Sequence, residues 1–306
     1  MVCRDQMKKP NLLPVIALVI AMILWASSFV ALKIAIQEYD PMVVIFGRMI
    51  VASFFFLFIV YPFRKIDFKR SDLKWIAVMA LLEPCLYFLF EMQAIQNTTA
   101  SQAGMITAIL PLLVAIGAKV FLKEYLNWQT LAGFAVSIAG TVWLSLSSNP
   151  SQFAPNPPLG NLFEFLAMVC ATGYTLILKR LTAFYPPLLL TGIQAIIGSI
   201  FYLPFLFLPS TRLPDELVPI PLAAILYLGI FITLGAYGLY NFGVSRISAS
   251  KASAFVNLIP VFAVVLGWLI LNEAFTFPQY FAAGLVLSGV LISQTGPRLT
   301  KNRSVH

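Results

Sequence analysis

Two stretches decide the fold: Ala100–Glu124, ASQAGMITAILPLLVAIGAKVFLKE, and Ala249–Glu273, ASKASAFVNLIPVFAVVLGWLILNE. A shift of 149 places Ala100, Ser101, Ala103, Pro111, Leu122 and Glu124 on Ala249, Ser250, Ala252, Pro260, Leu271 and Glu273. Shifts of 145 and 146 place Pro41 and Gly47 on Pro186 and Gly192, and Leu32-Lys33 on Leu178-Lys179. The chain is a duplication whose loops differ slightly in length.

Outward from these two stretches, the apolar pattern predicts ten spans. They are Leu12–Ile36, Met42–Pro62, Leu73–Gln96, Ser101–Leu122, Trp128–Ser147, Gly160–Leu181, Pro187–Leu208, Pro221–Phe242, Ser250–Leu271 and Phe277–Thr295. Each is near the roughly 20 residues that cross about 30 Å of hydrocarbon. Composition agrees: 60% of the 306 residues are hydrophobic and only 10% charged, against about 25% charged in soluble domains. The expected fold is an all-α membrane protein of ten transmembrane helices in two five-helix repeats, residues 12–147 and 160–295. Five is odd, so the second copy enters the bilayer from the opposite side and the repeats are inverted. Inverted repeats meeting near the midplane are a common architecture of secondary transporters.

The net charge of +8 is an orientation signal rather than a nucleic-acid footprint. With the N-terminus in the cytoplasm, 17 of the 20 Lys and Arg fall on that side. The outer side holds Lys33 and Arg212, and Arg48 lies within a span. This obeys the positive-inside rule with both termini cytoplasmic. The first apolar run is too long for a cleaved signal peptide and reads as a retained helix. The short loops and compact chain point to a bacterial inner (plasma) membrane.

Enzyme signatures are missing. The only histidine is His306, and Cys3, Cys85 and Cys170 form no close-spaced motif. No metal site, disulfide, cofactor or phosphate-cradling loop is expected.

These features resemble the drug/metabolite transporter superfamily, in particular its EamA-like ten-helix branch. The resemblance rests on Trp25 through Lys33, on Pro41 with Arg48, and on the duplicated Ala-Ser…Pro…Glu pattern with Gly133, Gly140, Gly284 and Gly289. Ala171-Thr-Gly-Tyr174 stands where the family usually has a tryptophan. The resemblance implies transport of a small organic molecule and says little about which one. It also implies that the first, third, sixth and eighth helices line a central cavity, with Trp25, Tyr87, Tyr174, Tyr237 and Tyr240 as aromatic wall.

Comparing the copies separates shared features from solitary ones. Pro111 and Pro260 match, and each removes a backbone hydrogen bond in mid-helix. They are candidate gating kinks near a central site. Lys33/Lys179 and Glu124/Glu273 also match; Lys33 with Glu273 and Lys179 with Glu124 are candidate clasps at the two mouths. Four charges stand alone. Arg48 aligns with Ile193, Glu83 with Ile232, Glu91 with Tyr240, and Glu164 with Leu18. Glu83, Tyr87 and Glu91 share one helix face by their i, i+4, i+8 spacing, and that face must avoid lipid. Glu83 and Glu91 are therefore candidate recognition and coupling groups, with Arg48 and Glu164 setting their charge. An amino-acid or amine exporter working by alternating access and exchanging protons is the leading reading. An uptake carrier or exchanger of the same fold, and a non-transporting scaffold or sensor, are the alternatives.

The charge asymmetry predicts cytoplasmic termini and an external Ser148–Leu159 connection. Single cysteines replacing Ser151 and Ser304, in a cysteine-free background, check this in intact cells. Impermeant maleimide is expected to label position 151 and spare position 304; the reverse pattern inverts the topology.

Overall fold

The computed structural model describes residues 12–63, 65–122, 128–152 and 154–294. Ten principal helices run through them: α1 Leu13–Ala35, α2 Pro41–Ile59, α3 Arg70–Asn97, α4 Ala100–Phe121, α5 Trp128–Leu146, α6 Pro157–Leu181, α7 Pro187–Phe207, α8 Pro219–Arg246, α9 Ala249–Leu271 and α10 Phe277–Gln294. Eight are long and apolar enough, by their described residues, to cross a bilayer. The other two, α5 and α10, have 19 and 18 residues. Large apolar side chains such as Phe54, Phe58, Trp268 and Leu269 are exposed on the outside of the bundle, where a lipid-facing belt belongs. The end of the molecule at which α1 starts is the near face below, and that at which it ends is the far face.

The repeats interlock. The first helix of each packs on the third of the other, α1 with α8 and α6 with α3. In the same way α2 packs on α7, α4 on α9 and α5 on α10. The last pair shows the two-fold relation residue by residue. A Cβ on Gly140 would come within 2.7 Å of the Val286 nitrogen, and one on Gly289 within 2.6 Å of the Ser137 nitrogen. Ser137 and Val286 are equivalents under the shift of 149. Each glycine thus seats the other repeat's backbone, the close approach that small residues permit in lipid.

The matched prolines act one turn before themselves. Pro111 and Pro260 have no N–H for the carbonyls of Thr107 and Val256. Those carbonyls take the N–H of Leu110 and Ile259 instead, which tightens 107–109 and 254–258 into 3-10 turns. Both α4 and α9 are therefore necked at the same level.

α3 and α8 are each 28 residues long, longer than the sequence pattern suggested. Both widen into π-helical turns at corresponding places, Leu81–Leu86 and Leu228–Ala236. In α3 the helix is interrupted outright: Glu83 has φ −148° and ψ 115° ahead of a cis peptide to Pro84.

Gly140→Val is expected to lower stability by about 1–3 kcal/mol, because its new methyls meet backbone that cannot move aside. Gly284→Ala, with nothing within 4 Å of its Cβ position, is the control. Thermal unfolding midpoints of the purified variants check the contrast.

Candidate functional site

The interrupted α3 aims its polar face at the centre of the bundle. A narrow cavity lies there, with a volume of about 30 Å³, so a small-molecule occupant needs the wall to open further. Its wall includes Trp25, Glu83, Tyr87, Glu91, Tyr174, Tyr237 and Tyr240, seven residues expected at the site from sequence, and also Arg48. Glu164 does not line it, nor do Pro111 and Pro260, although Thr107, Leu110, Val256 and Ile259 from the two necks do.

Arg48 is fully enclosed and organises one side. Its Nη1 donates to Glu91 Oε2 at 3.3 Å and its Nε to Thr233 Oγ1 at 3.1 Å. The guanidinium stacks over the Phe88 ring at 3.9 Å, a contact that favours a planar cation. Tyr87 donates its hydroxyl to Glu91 Oε1 at 3.0 Å. Both oxygens of Glu91 are thus engaged.

Glu83 is held differently. Its backbone carbonyl, freed by the helix break, accepts Gln194 Nε2 at 2.6 Å. The Tyr237 hydroxyl bonds its carboxylate, while Oε2 is buried without a partner. Trp25 sits on Tyr237 and Tyr240, with ring centroids 5.0 and 4.8 Å away, and its buried Nε1 has no acceptor. The opposite wall is pinned by polar contacts: Tyr174 donates to Asn241 Oδ1, Asn241 Nδ2 donates to Thr191 at 2.8 Å, and Thr175 meets the Tyr240 hydroxyl at 3.2 Å. A carboxylate acceptor and an indole donor therefore face a chamber walled by aromatic rings.

The charged residues at the two mouths have these partners. Glu273 gives its carboxylate to the start of α4, accepting Ala100 N at 2.9 Å, Ser101 N at 2.8 Å and Ser101 Oγ at 2.6 Å. Unpaired amides and the helix dipole make that terminus a strong competitor for an anion. Lys33 shares a far-face cavity of about 340 Å³ with Glu273 and feels its charge. Lys179 donates to the carbonyls of Val244 and Ile247 at 2.8 and 2.6 Å, at the C-terminal end of α8. Glu124, its expected partner, lies outside the described residues. Cys85 and Cys170 are buried free thiols, and no group of metal-ligating side chains occurs among the described residues.

Gln194, Thr233 and Asn241 were missed from sequence. Their repeat equivalents are Met49, Pro84 and Met92. The asymmetry test that singled out charges finds these neutral polar groups too once it is extended to them.

The sequence matches the model of the EamA-like transporter family over residues 12–146 and 158–295. The chain belongs to the EamA-like transporter family. It is 26% identical to the uncharacterized transporter YetK of Bacillus subtilis, over 91% of this chain and 86% of that one. It is 25% identical to a protein of Streptantibioticus cattleyicolor named a probable terminal-alkyne amino-acid exporter, over 90% and 91%. An S-adenosylmethionine/S-adenosylhomocysteine transporter of Chlamydia muridarum is 27% identical over 87% and 86%. A crystal structure at 18% identity shares the fold, with a TM-score of 0.64 over 92% of this chain and 96% of that one. This EamA-like transporter is a multi-pass membrane protein.

Arg48→Met is expected to destabilise this transporter by about 3 kcal/mol or more, since it strands the Glu91 carboxylate in the bundle. Adding Glu91→Gln to Arg48→Met is expected to restore much of the loss. Unfolding midpoints of the two single variants and the double variant form the cycle that checks it; simple additivity contradicts the coupling.

Proposed function

We propose that this transporter exports an amino acid or amine across the inner membrane by alternating access, exchanging it for protons. The near face is the cytoplasmic one, and both termini lie there. The observation that carries the reading is Glu83 at the break of α3. Its carboxylate lines the cavity, one oxygen is unpartnered, and the surrounding wall is aromatic. An ammonium group meets both needs at once, through the carboxylate and the ring faces. The free Trp25 Nε1–H suits the substrate's carboxylate. The amino-acid exporter of Streptantibioticus cattleyicolor supports the same substrate class.

Charge balance supports coupling. Arg48 neutralises Glu91, which leaves Glu83 and Glu164 without a cation among the described residues. A carboxylate deep in a bilayer is costly unless a proton or a cation accompanies it. At Glu83 a proton and an ammonium compete for one group, so each expels the other, which is the reciprocal linkage an exchanger needs. The units 12–147 and 160–295 rock about the necks before Pro111 and Pro260. The end contacts of Lys33, Glu273, Lys179 and Glu124 are remade as the mouths open and close.

Inside-out vesicles with an acidic lumen, loaded with the reconstituted protein and offered a tritiated amino-acid mixture, check this. Glu83→Gln is expected to abolish gradient-driven accumulation. Glu91→Gln is expected to weaken apparent affinity by about tenfold, the worth of one charged hydrogen bond. Full gradient-driven accumulation by the double variant returns both glutamates to a structural role.

A further inference from the structure

The near-face junction of α3 and α6 carries cations arranged around aromatic rings. The Arg180 guanidinium, at the end of α6, stands over the Trp75 ring at 4.6 Å, and Lys74 Nζ lies 5.8 Å from the same ring. Lys69 Nζ is 5.1 Å from the Phe184 ring, and its backbone N–H donates to the Tyr185 hydroxyl. Trp75 is half-buried, whereas Lys69, Lys74, Arg180 and Phe184 are exposed. Among the described residues none of these cations forms an ion pair with a carboxylate. Of the acidic neighbours, Asp72 is buried and accepts the Tyr185 hydroxyl, and Asp67 is exposed ahead of α3.

A guanidinium stacked on a ring keeps its N–H edge free, and that edge matches two oxygens of a phosphate. The same side of α3 is apolar further in. Val78 and Leu81, four and seven residues after Lys74, share its side of the helix and are 42% and 46% exposed. The 28 residues of α3, at about 1.5 Å each, exceed the roughly 30 Å of hydrocarbon. Its first turns therefore stand at headgroup depth, where an indole is a usual anchor, and the apolar stripe at acyl depth. The far face has the frame of this junction without the cations. Tyr39 staples Val218 there as Tyr185 staples Lys69 here. Yet Lys74 and Trp75 align with Ala223 and Ala224, and Arg180 with Ile34. The staple does not need the cluster. Orientation in the membrane asks for charge on one side, and it does not place an indole between two cations.

We propose that this junction binds the headgroup of an anionic phospholipid such as phosphatidylglycerol. Arg180 and Lys74 hold the phosphate beside Trp75, Lys69 adds charge at the same junction, and an acyl chain lies along Val78 and Leu81. A free phosphate would use the cations and leave that stripe uncovered. Lys74 belongs to the first repeat and Arg180 to the second, so one headgroup bridges the repeats at the near face. The site is separate from the central cavity and stands whatever molecule is transported.

Native mass spectrometry of the full chain, delipidated in detergent and titrated with phosphatidylglycerol or phosphatidylcholine, tests this. The wild type is expected to retain phosphatidylglycerol in preference to phosphatidylcholine. Lys74→Gln with Arg180→Gln is expected to lower that affinity about thirtyfold, the worth of two cations at a lipid surface. Lys119→Gln with Lys251→Gln, which removes two other exposed cations, is expected to leave it unchanged. Trp75→Leu keeps every charge and is expected to weaken binding about threefold, the worth of one exposed cation–π contact. Unfolding midpoints without added lipid confirm that the variants fold. The paired charge variant alters exposed side chains only and carries the test if Trp75→Leu does not fold. Equal retention of the two lipids by the wild type overturns the proposal. So does an equal loss in the two paired variants, which is the mark of diffuse surface charge, and so does wild-type affinity in folded Trp75→Leu. Displacement of phosphatidylglycerol by an equal concentration of glycerol phosphate overturns the assignment to a lipid.

Discussion

Everything at the centre of this transporter depends on keeping three backbone carbonyls satisfied where α3 breaks. In hydrocarbon no water replaces a lost intrahelical bond, so an interrupted helix survives only where protein groups take over. At the break, Gln194 Nε2 donates to the Glu83 carbonyl at 2.6 Å. The Tyr202 hydroxyl reaches the carbonyl of Pro84 at 3.1 Å and bonds that of Cys85 as well. Both partners come from α7 in the other repeat. The break that turns Glu83 into the cavity is therefore held across the repeat interface. A shift of α7 against α3 acts directly on the candidate recognition group.

The same reciprocity ties the two mouths. Tyr39, after α1, accepts the Val218 N–H at 2.8 Å and donates to the Val218 carbonyl at 3.3 Å, at the start of α8. Tyr185, its equivalent under the shift of 146, accepts the Lys69 N–H at 3.2 Å and donates to Asp72 at 2.9 Å, at the start of α3. Each repeat thus staples its first turn to the other repeat's third helix, on opposite faces of the membrane. The two staples differ in strength, because one acceptor is a carbonyl and the other a carboxylate.

The sequence made the frame legible because duplication repeats its marks. Pro111 with Pro260, Gly140 with Gly289, and the odd helix count follow from alignment and hydropathy alone. The cavity wall was also within reach: a charge in a span must avoid lipid, and Glu83, Glu91 and Arg48 line the cavity while Glu164 does not. The helix-start bonds of Glu273 were not legible, because side-chain counting ignores the free amides of a helix start. Glu273 takes the amides of Ala100 and Ser101. The π-helical turns escaped notice because apolar periodicity continues through them. Pro84 was the one printed sign, and it lies beside the charge that drew attention. Gln194, Tyr202 and Asn241 escaped because neutral polar residues barely disturb hydropathy, yet they hold the break and the wall.

The cavity combines a symmetric backbone with asymmetric chemistry. Equivalent positions line it in pairs: Glu83 with Ile232, Glu91 with Tyr240, Trp25 with Ala171, Ser28 with Tyr174, Phe29 with Thr175, Thr107 with Val256, and Leu110 with Ile259. Were each pair identical, a ligand would have two poses of equal energy related by the pseudo-two-fold axis. Substitution within the pairs removes that degeneracy. The carboxylates come from one α3 face, and their equivalents on α8 are aliphatic and aromatic. The large indole lies on α1, opposite the methyl of Ala171. The proposed ligand, with one cationic end and one apolar end, therefore has a single favoured orientation in the cavity. The necks before Pro111 and Pro260 still present the same backbone to either mouth. For the proposed alternating access, the symmetry is what keeps the two closed states near in energy. Recognition needs its breach, because orientation is a difference between the two halves. The duplication supplied the first, and later divergence within equivalent pairs supplied the second.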